Sequence, residues 1–104
     1  MLKFALQVQQ QMPRAFKRHL GERIMAHCTV MLDLMAQANA SRGTERAQYI
    51  QELLRRVHAT QVLIRAGFEL ELISPRLWAA SIELLENIGR QGGGWLKSAK
   101  APVA

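Results

Sequence analysis

Leu20, Ile24, Cys28, Met31, Met35 and Ala38 recur at spacings of three and four. The same period returns in Ala47, Ile50, Leu54, Val57, Gln61 and Ile64, and again in Trp78, Ile82, Leu85 and Ile88. Stripes of this kind place one apolar face along each of three long helices, and such faces are buried by packing helix on helix. Phe4, Val8 and Met12 form a shorter stripe that Pro13 closes, because proline biases the residue before it away from the helical region. The boundaries expected are therefore 2–12, 18–40, 44–66 and 75–97. Thr44 is the expected N-cap of the third helix and Gly67 its C′ residue, while Ser74-Pro75 pairs a capping hydroxyl with proline at the first helical position of the fourth. Residues 68–73 alternate like a strand, but a strand without a partner leaves its backbone unsatisfied, so an apolar loop is expected there. The tail 98–104 has little to bury and is expected to be mobile. Short connections make the helices antiparallel neighbours, giving an all-α, up-and-down four-helix bundle with a short first helix, one domain over 1–104.

Composition narrows the partners. Fourteen Lys and Arg against eight Asp and Glu leave a net charge of +6, and the pI near 10.5 favours a polyanion such as nucleic acid. Three prolines and seven glycines are too few for a sandwich or barrel of many short strands. Cys28 is alone, which excludes an intramolecular disulfide and a cysteine-based zinc site and points to a reducing compartment. The start MLKFALQVQQQ is too short an apolar run for a secretion signal, and no uncharged run is long enough to span a membrane, so a cytoplasmic protein is expected.

Catalytic chemistry finds no support among the residue patterns. His19, His27 and His58 fall on different segments without a partner that spacing can assign, and each reads as a surface or core-edge side chain. His27 and Cys28 are adjacent on a helix and so point apart, which leaves Cys28 as a small core residue. Glu83 and Glu86 share a face but lack a histidine, and Arg90 four residues after Glu86 suggests a salt-bridged exposed face. Met12, Met25, Met31 and Met35 read as core fillers before they read as a plastic binding surface. No catalytic residue, metal or cofactor is expected.

The charge pattern is more informative. In an up-and-down bundle one end collects Arg14, Lys17, Arg18, Arg23, Arg65 and Arg76, and the other Lys3, Arg42, Arg46, Arg90, Lys97 and Lys100. The waist holds Arg55 and Arg56 against Asp33, Glu52, Glu83 and Glu86. Basic ends and an acidic waist result, with Arg14, Lys17, Arg18, Arg23, Arg90 and Lys97 as candidate phosphate contacts. Any one of these cations also reads as a solvated helix face. The glycines 92–94 would each cost ~1 kcal/mol inside a helix, so continuation through them requires a close neighbour, and Trp95 and Leu96 beyond them are the candidate contacts between subunits.

Three strings carry a family resemblance: MPRAFKRHLGERI at 12–24, ANASRG at 38–43 and LLENIGRQGGGWLKS at 84–98. They resemble the four-helix-bundle family that includes the accessory variability determinant of diversity-generating retroelements and the proteins encoded in intervening sequences of large-subunit ribosomal RNA genes. Arg14, Gly21, Arg23, Gly89, Arg90, Gly94, Trp95 and Lys97 match its pattern one by one. A short first helix and Gln91-Gly92-Gly93 depart from it. The resemblance implies a homopentameric barrel of bundles whose basic surface binds RNA or DNA and, in retroelement members, the reverse transcriptase. Two other classes compete: a protein-interaction bundle whose charge is incidental, and a small helical enzyme of the chorismate mutase kind, whose long first helix is missing here.

Overall fold

A computed structural model describes residues 1–11 and 17–100. Helix α1 spans Leu2–Gln11. A π-helical turn, Lys17–Gly21, runs into α2, Glu22–Ala40; α3 spans Gly43–Glu69 and α4 spans Pro75–Lys100. The fold is an all-α, bundle-like arrangement with a short first helix, and no strand occurs among the described residues. Met12, Pro13 and Arg14, and residues 101–104 of the tail, lie outside the described residues.

Each helix end has its own cause, and several differ from expectation. Gly21 adopts helical dihedrals (φ −61°, ψ −43°), so helical backbone passes without a break from the π turn into α2. Thr44 is not the cap of α3. Arg42, extended at φ −138°, holds that position without a side-chain bond, and Gly43 turns the chain at φ +60°, which leaves Thr44 already inside the first turn. The polar groups of the connection close α2 instead: Ser41 donates its hydroxyl to the Gln37 carbonyl at 2.8 Å and its amide to that of Ala38 at 3.3 Å.

Gly67 does not end α3 either. The helix continues to Glu69, and the left-handed residue is Glu71 at φ +60°. Leu72 N–H bonds the Gly67 carbonyl at 2.8 Å and Glu71 N–H that of Phe68 at 3.0 Å, the two bonds of a Schellman motif. Gly67 is needed for a different reason: a Cβ there would meet Ile73 Cδ1 at 2.7 Å and Leu20 Cδ2 at 3.2 Å. The loop expected at 68–73 therefore shortens, with Phe68 and Glu69 helical and Ile73 turned into the core. Phe68 stacks on Trp78 across the corner, ring centres 4.8 Å apart. Ser74 caps α4 as expected, accepting the Leu77 amide at 3.2 Å.

Helix α4 passes through the three glycines and includes Ser98, Ala99 and Lys100, which were expected in a mobile tail. A close neighbour exists at Gly92 alone, where a Cβ would lie 2.8 Å from Leu54 Cδ2; around Gly93 and Gly94 the space is open.

The core joins Phe4, Ala5 and Val8 of α1 to Ile24, Cys28 and Met31 of α2, Leu53, Val57 and Ile64 of α3, and Leu85 and Ile88 of α4. Met25 and Met35 pack against it, so the methionines described are core residues. α3 packs lengthwise against both α2 and α4, while α1 lies on α2. The Cα atoms extend over 53 × 21 × 18 Å, an elongated body. α1 covers about 15 Å of it against about 40 Å for α3, at 1.5 Å per residue. Gln7 and Gln10 share a cleft with Arg76, Leu77 and Ala80, so α1 flanks the first half of α4.

Candidate nucleic-acid interface

The heights of the helices decide which cations meet. Gly89 lies opposite Val57 and Gly92 opposite Leu54, which sets the antiparallel register of α3 and α4. Arg90 is consequently level with Arg56, at mid-length rather than at the far end. Lys3 moves likewise. Its helix begins at mid-length, where the charge of the amino terminus acts on Cys28. With Lys3 and Arg90 added, the side-chain charges of the expected acidic waist sum to zero.

Of the six expected phosphate contacts, those described fall into two groups. Arg14 lies outside the described residues, and Lys17 lies in the π turn. Arg18 and Arg23 are exposed at the start of α2. Arg90 and Lys97 are exposed on α4, with α3 lying between the two groups. In an α-helix, positions five apart differ in direction by about 140°; the wider π turn brings Arg18 and Arg23 closer to one line. Among the described residues the ion pairs are Glu52 with Arg55 at 3.0 Å and Arg56 at 3.2 Å, and Arg65 with Glu69 at 3.1 Å. Arg18, Arg23, Arg90 and Lys97 thus face solvent without a carboxylate within 4 Å among the described residues. The bridge expected between Glu86 and Arg90 is not formed.

The structure also assembles a group that spacing in the sequence does not reveal. Arg56 Nη1 lies 3.3 Å from His27 Nδ1, across the seam of α2 and α3. Burial, and then the charges of Arg56 and Arg23, push the His27 pKa below its ordinary value. The ring is therefore held neutral, with Nδ1 accepting from the guanidinium. Arg56 keeps its other face on Glu52 through Nε. The two residues are 29 positions apart, and only the register of two antiparallel helices brings them together.

The remaining candidates are placed plainly. Cys28 is buried, and burial raises its thiol to about 11, so it is protonated and inert at neutral pH. Among the described residues no three His, Cys, Asp or Glu side chains are placed to hold a metal, and no helix is long and apolar enough to cross a membrane. Trp95 is 39% exposed, and Leu96 is half-buried. On the outer side of α3 and α4, Val62, Trp78 and Ile82 line an open apolar groove of about 300 Å³ rimmed by His58, Arg65 and Glu86. Comparison of the chain with protein-family models, with characterised proteins and with solved structures found no match.

Proposed function

We propose that the chain is a non-enzymatic, oligomeric accessory protein that holds the phosphate backbone of RNA or DNA in the cytoplasm, beside a reverse transcriptase or a structured RNA. The observation that carries this reading is the set of solvent-facing cations without carboxylate partners among the described residues, Arg18 in the π turn, Arg23 on α2 and Arg90 and Lys97 on α4, in a chain of net charge +6. Cations left unpaired are free to replace the counterions of a polyanion, and release of those counterions drives binding with little sequence preference. The resemblance of residues 12–24, 38–43 and 84–98 to the accessory variability determinants supplies the pentameric ring and the reverse-transcriptase partner. Trp95 and Leu96 are the proposed contacts between subunits.

A second reading, a protein-interaction bundle without a nucleic-acid role, is favoured by the apolar groove of Val62, Trp78 and Ile82, since continuous apolar surface marks contact sites. Fluorescence anisotropy with labelled single-stranded and duplex oligonucleotides separates the two. The expected result is binding whose log affinity falls with log salt with a slope of several units, flattened by about two to three units when Arg14, Lys17 and Arg18 are all changed to Ala. Absence of binding at low salt supports the interaction bundle.

A further inference from the structure

His27 is in an unusual position for a half-buried histidine. Arg23 precedes it by one turn on α2, and Arg56 reaches it from α3 with Nη1 at 3.3 Å from Nδ1. No carboxylate oxygen lies within 4 Å of a ring nitrogen among the described residues; Glu52, the acidic group of the cluster, is bound to Arg56 Nε and to Arg55. From α1, the other element packed on α2, the charged groups are Lys3 and the amino terminus, both cationic. The ring is therefore flanked by positive groups on both sides of the seam.

We propose that Arg23, His27 and Arg56 form a clamp for one backbone phosphate of nucleic acid, and that closing the clamp draws a proton onto His27. In the free protein the Arg56 N–H donates to an unprotonated Nδ1. A protonated Nδ1 would turn a second N–H toward the guanidinium, and two donors cannot bond each other. A phosphate oxygen resolves this conflict, because it accepts from the guanidinium and from the imidazolium together and brings to the ring a negative charge that Glu52, held on Arg55 and Arg56 Nε, does not supply. Arg56 has a donor free for this role, since its Nε is already held by Glu52, which also fixes the plane of the guanidinium. The flanking charges oppose protonation of the free protein; a bound anion reverses that balance. Binding thus raises the affinity of His27 for its proton, and by linkage affinity for phosphate rises as pH falls. This clamp rests on the nucleic-acid reading above and adds to it a specific phosphate subsite and a pH response.

The test is calorimetry of the full-length protein with a single-stranded oligothymidine at constant ionic strength, in buffers of different ionisation enthalpy, near pH 6.5. Proton uptake is expected on binding, with affinity weakening between pH 5.5 and 7.5 by up to about tenfold for each unit by which the bound phosphate raises the histidine pKa. His27→Gln keeps a neutral acceptor on α2 and is expected to bind without the proton uptake contributed by His27, while His19→Gln retains it. Matching thermal melts establish that both variants are folded, and if His27→Gln melts lower, His27→Asn takes its place. Oligonucleotide binding with unaltered proton uptake in the His27 variant overturns the clamp and leaves the nucleic-acid reading standing. Absence of oligonucleotide binding in the wild type overturns both.

Discussion

Glu71 holds a left-handed backbone that glycine would adopt without a steric penalty. Its φ of +60° completes the Schellman motif at the end of α3, and a residue with a Cβ in that region costs roughly 1–2 kcal/mol. Glu71→Gly is expected to stabilise the protein by about 1 kcal/mol, less the extra freedom glycine gains in the unfolded chain, or a few degrees in Tm by calorimetry. A lowered Tm would show that the Glu71 side chain contributes more than its backbone costs. Four residues earlier, glycine serves another need: a Cβ there would stand 2.7 Å from Ile73 Cδ1, so the buried Ile73 side chain would have to shift. Sequence inspection marks Gly67 as the end of the helix because both needs, a left-handed turn and a close approach, are met by the same residue type. Only the three-dimensional neighbours distinguish them. Ser74, by contrast, was legible, since a capping hydroxyl followed by proline has one common structural use, and it makes that bond to Leu77.

At the scale of the element, the period of the apolar residues revealed the helices, but not always which face is turned inward. In α4 the expected stripe of Trp78, Ile82, Leu85 and Ile88 is only half correct. Leu77, Ser81, Leu85 and Ile88 face the core, while Ile82 is 37% exposed beside the outer groove. Ser81 misleads the eye because it is polar, yet its hydroxyl is satisfied by donating to the Trp78 carbonyl at 2.6 Å, which removes most of the cost of burying it. The same helix carries Gly93 and Gly94 in open space. Changing either to Ala is expected to stabilise the protein by ~0.5–1 kcal/mol, whereas Gly92→Ala gains less because Leu54 must move aside. Chemical denaturation of the three single variants checks the order. If Gly93→Ala or Gly94→Ala raises stability but lowers the assembled fraction, a neighbouring subunit's backbone rests on these glycines.

For the whole molecule, helix lengths mattered more than helix order. The connectivity was correctly legible as an all-α bundle, but the heights of charged groups were assigned as if α1 ran the full length. Its 10 residues do not, and Lys3 stands at the waist. Arg90 also stands at the waist, because the register that sets Gly89 opposite Val57 puts residue 90 beside the middle of α3. The clamp of Arg23, His27 and Arg56 was beyond reach of the sequence, because contacts across a seam depend on the relative slide of two helices. The elongated body and its exposed Trp95 bear on assembly. Light scattering coupled to size exclusion is expected to show a closed oligomer, five-fold if the resemblance holds, and Trp95→Ala is expected to lower its stability at equal concentration. A wild-type monomer would defeat the ring, and a mutant that assembles and melts as wild type does would remove Trp95 from the contact.

The π turn at Lys17–Gly21 has a consequence for how such a protein changes over generations. A π turn accommodates one residue more than an α turn, so it is a place where a helix absorbs an insertion without losing its axis. Loss of a single residue between Arg18 and Arg23 would let α2 continue backward in ordinary geometry and leave the two cations four positions apart. Arg18 would then stand about 40° from Arg23 around the axis, on the same face of the helix. Chain length here can change by one residue while both cations stay on one side of the helix, so the basic surface tolerates an insertion or deletion that an ordinary helical turn would not.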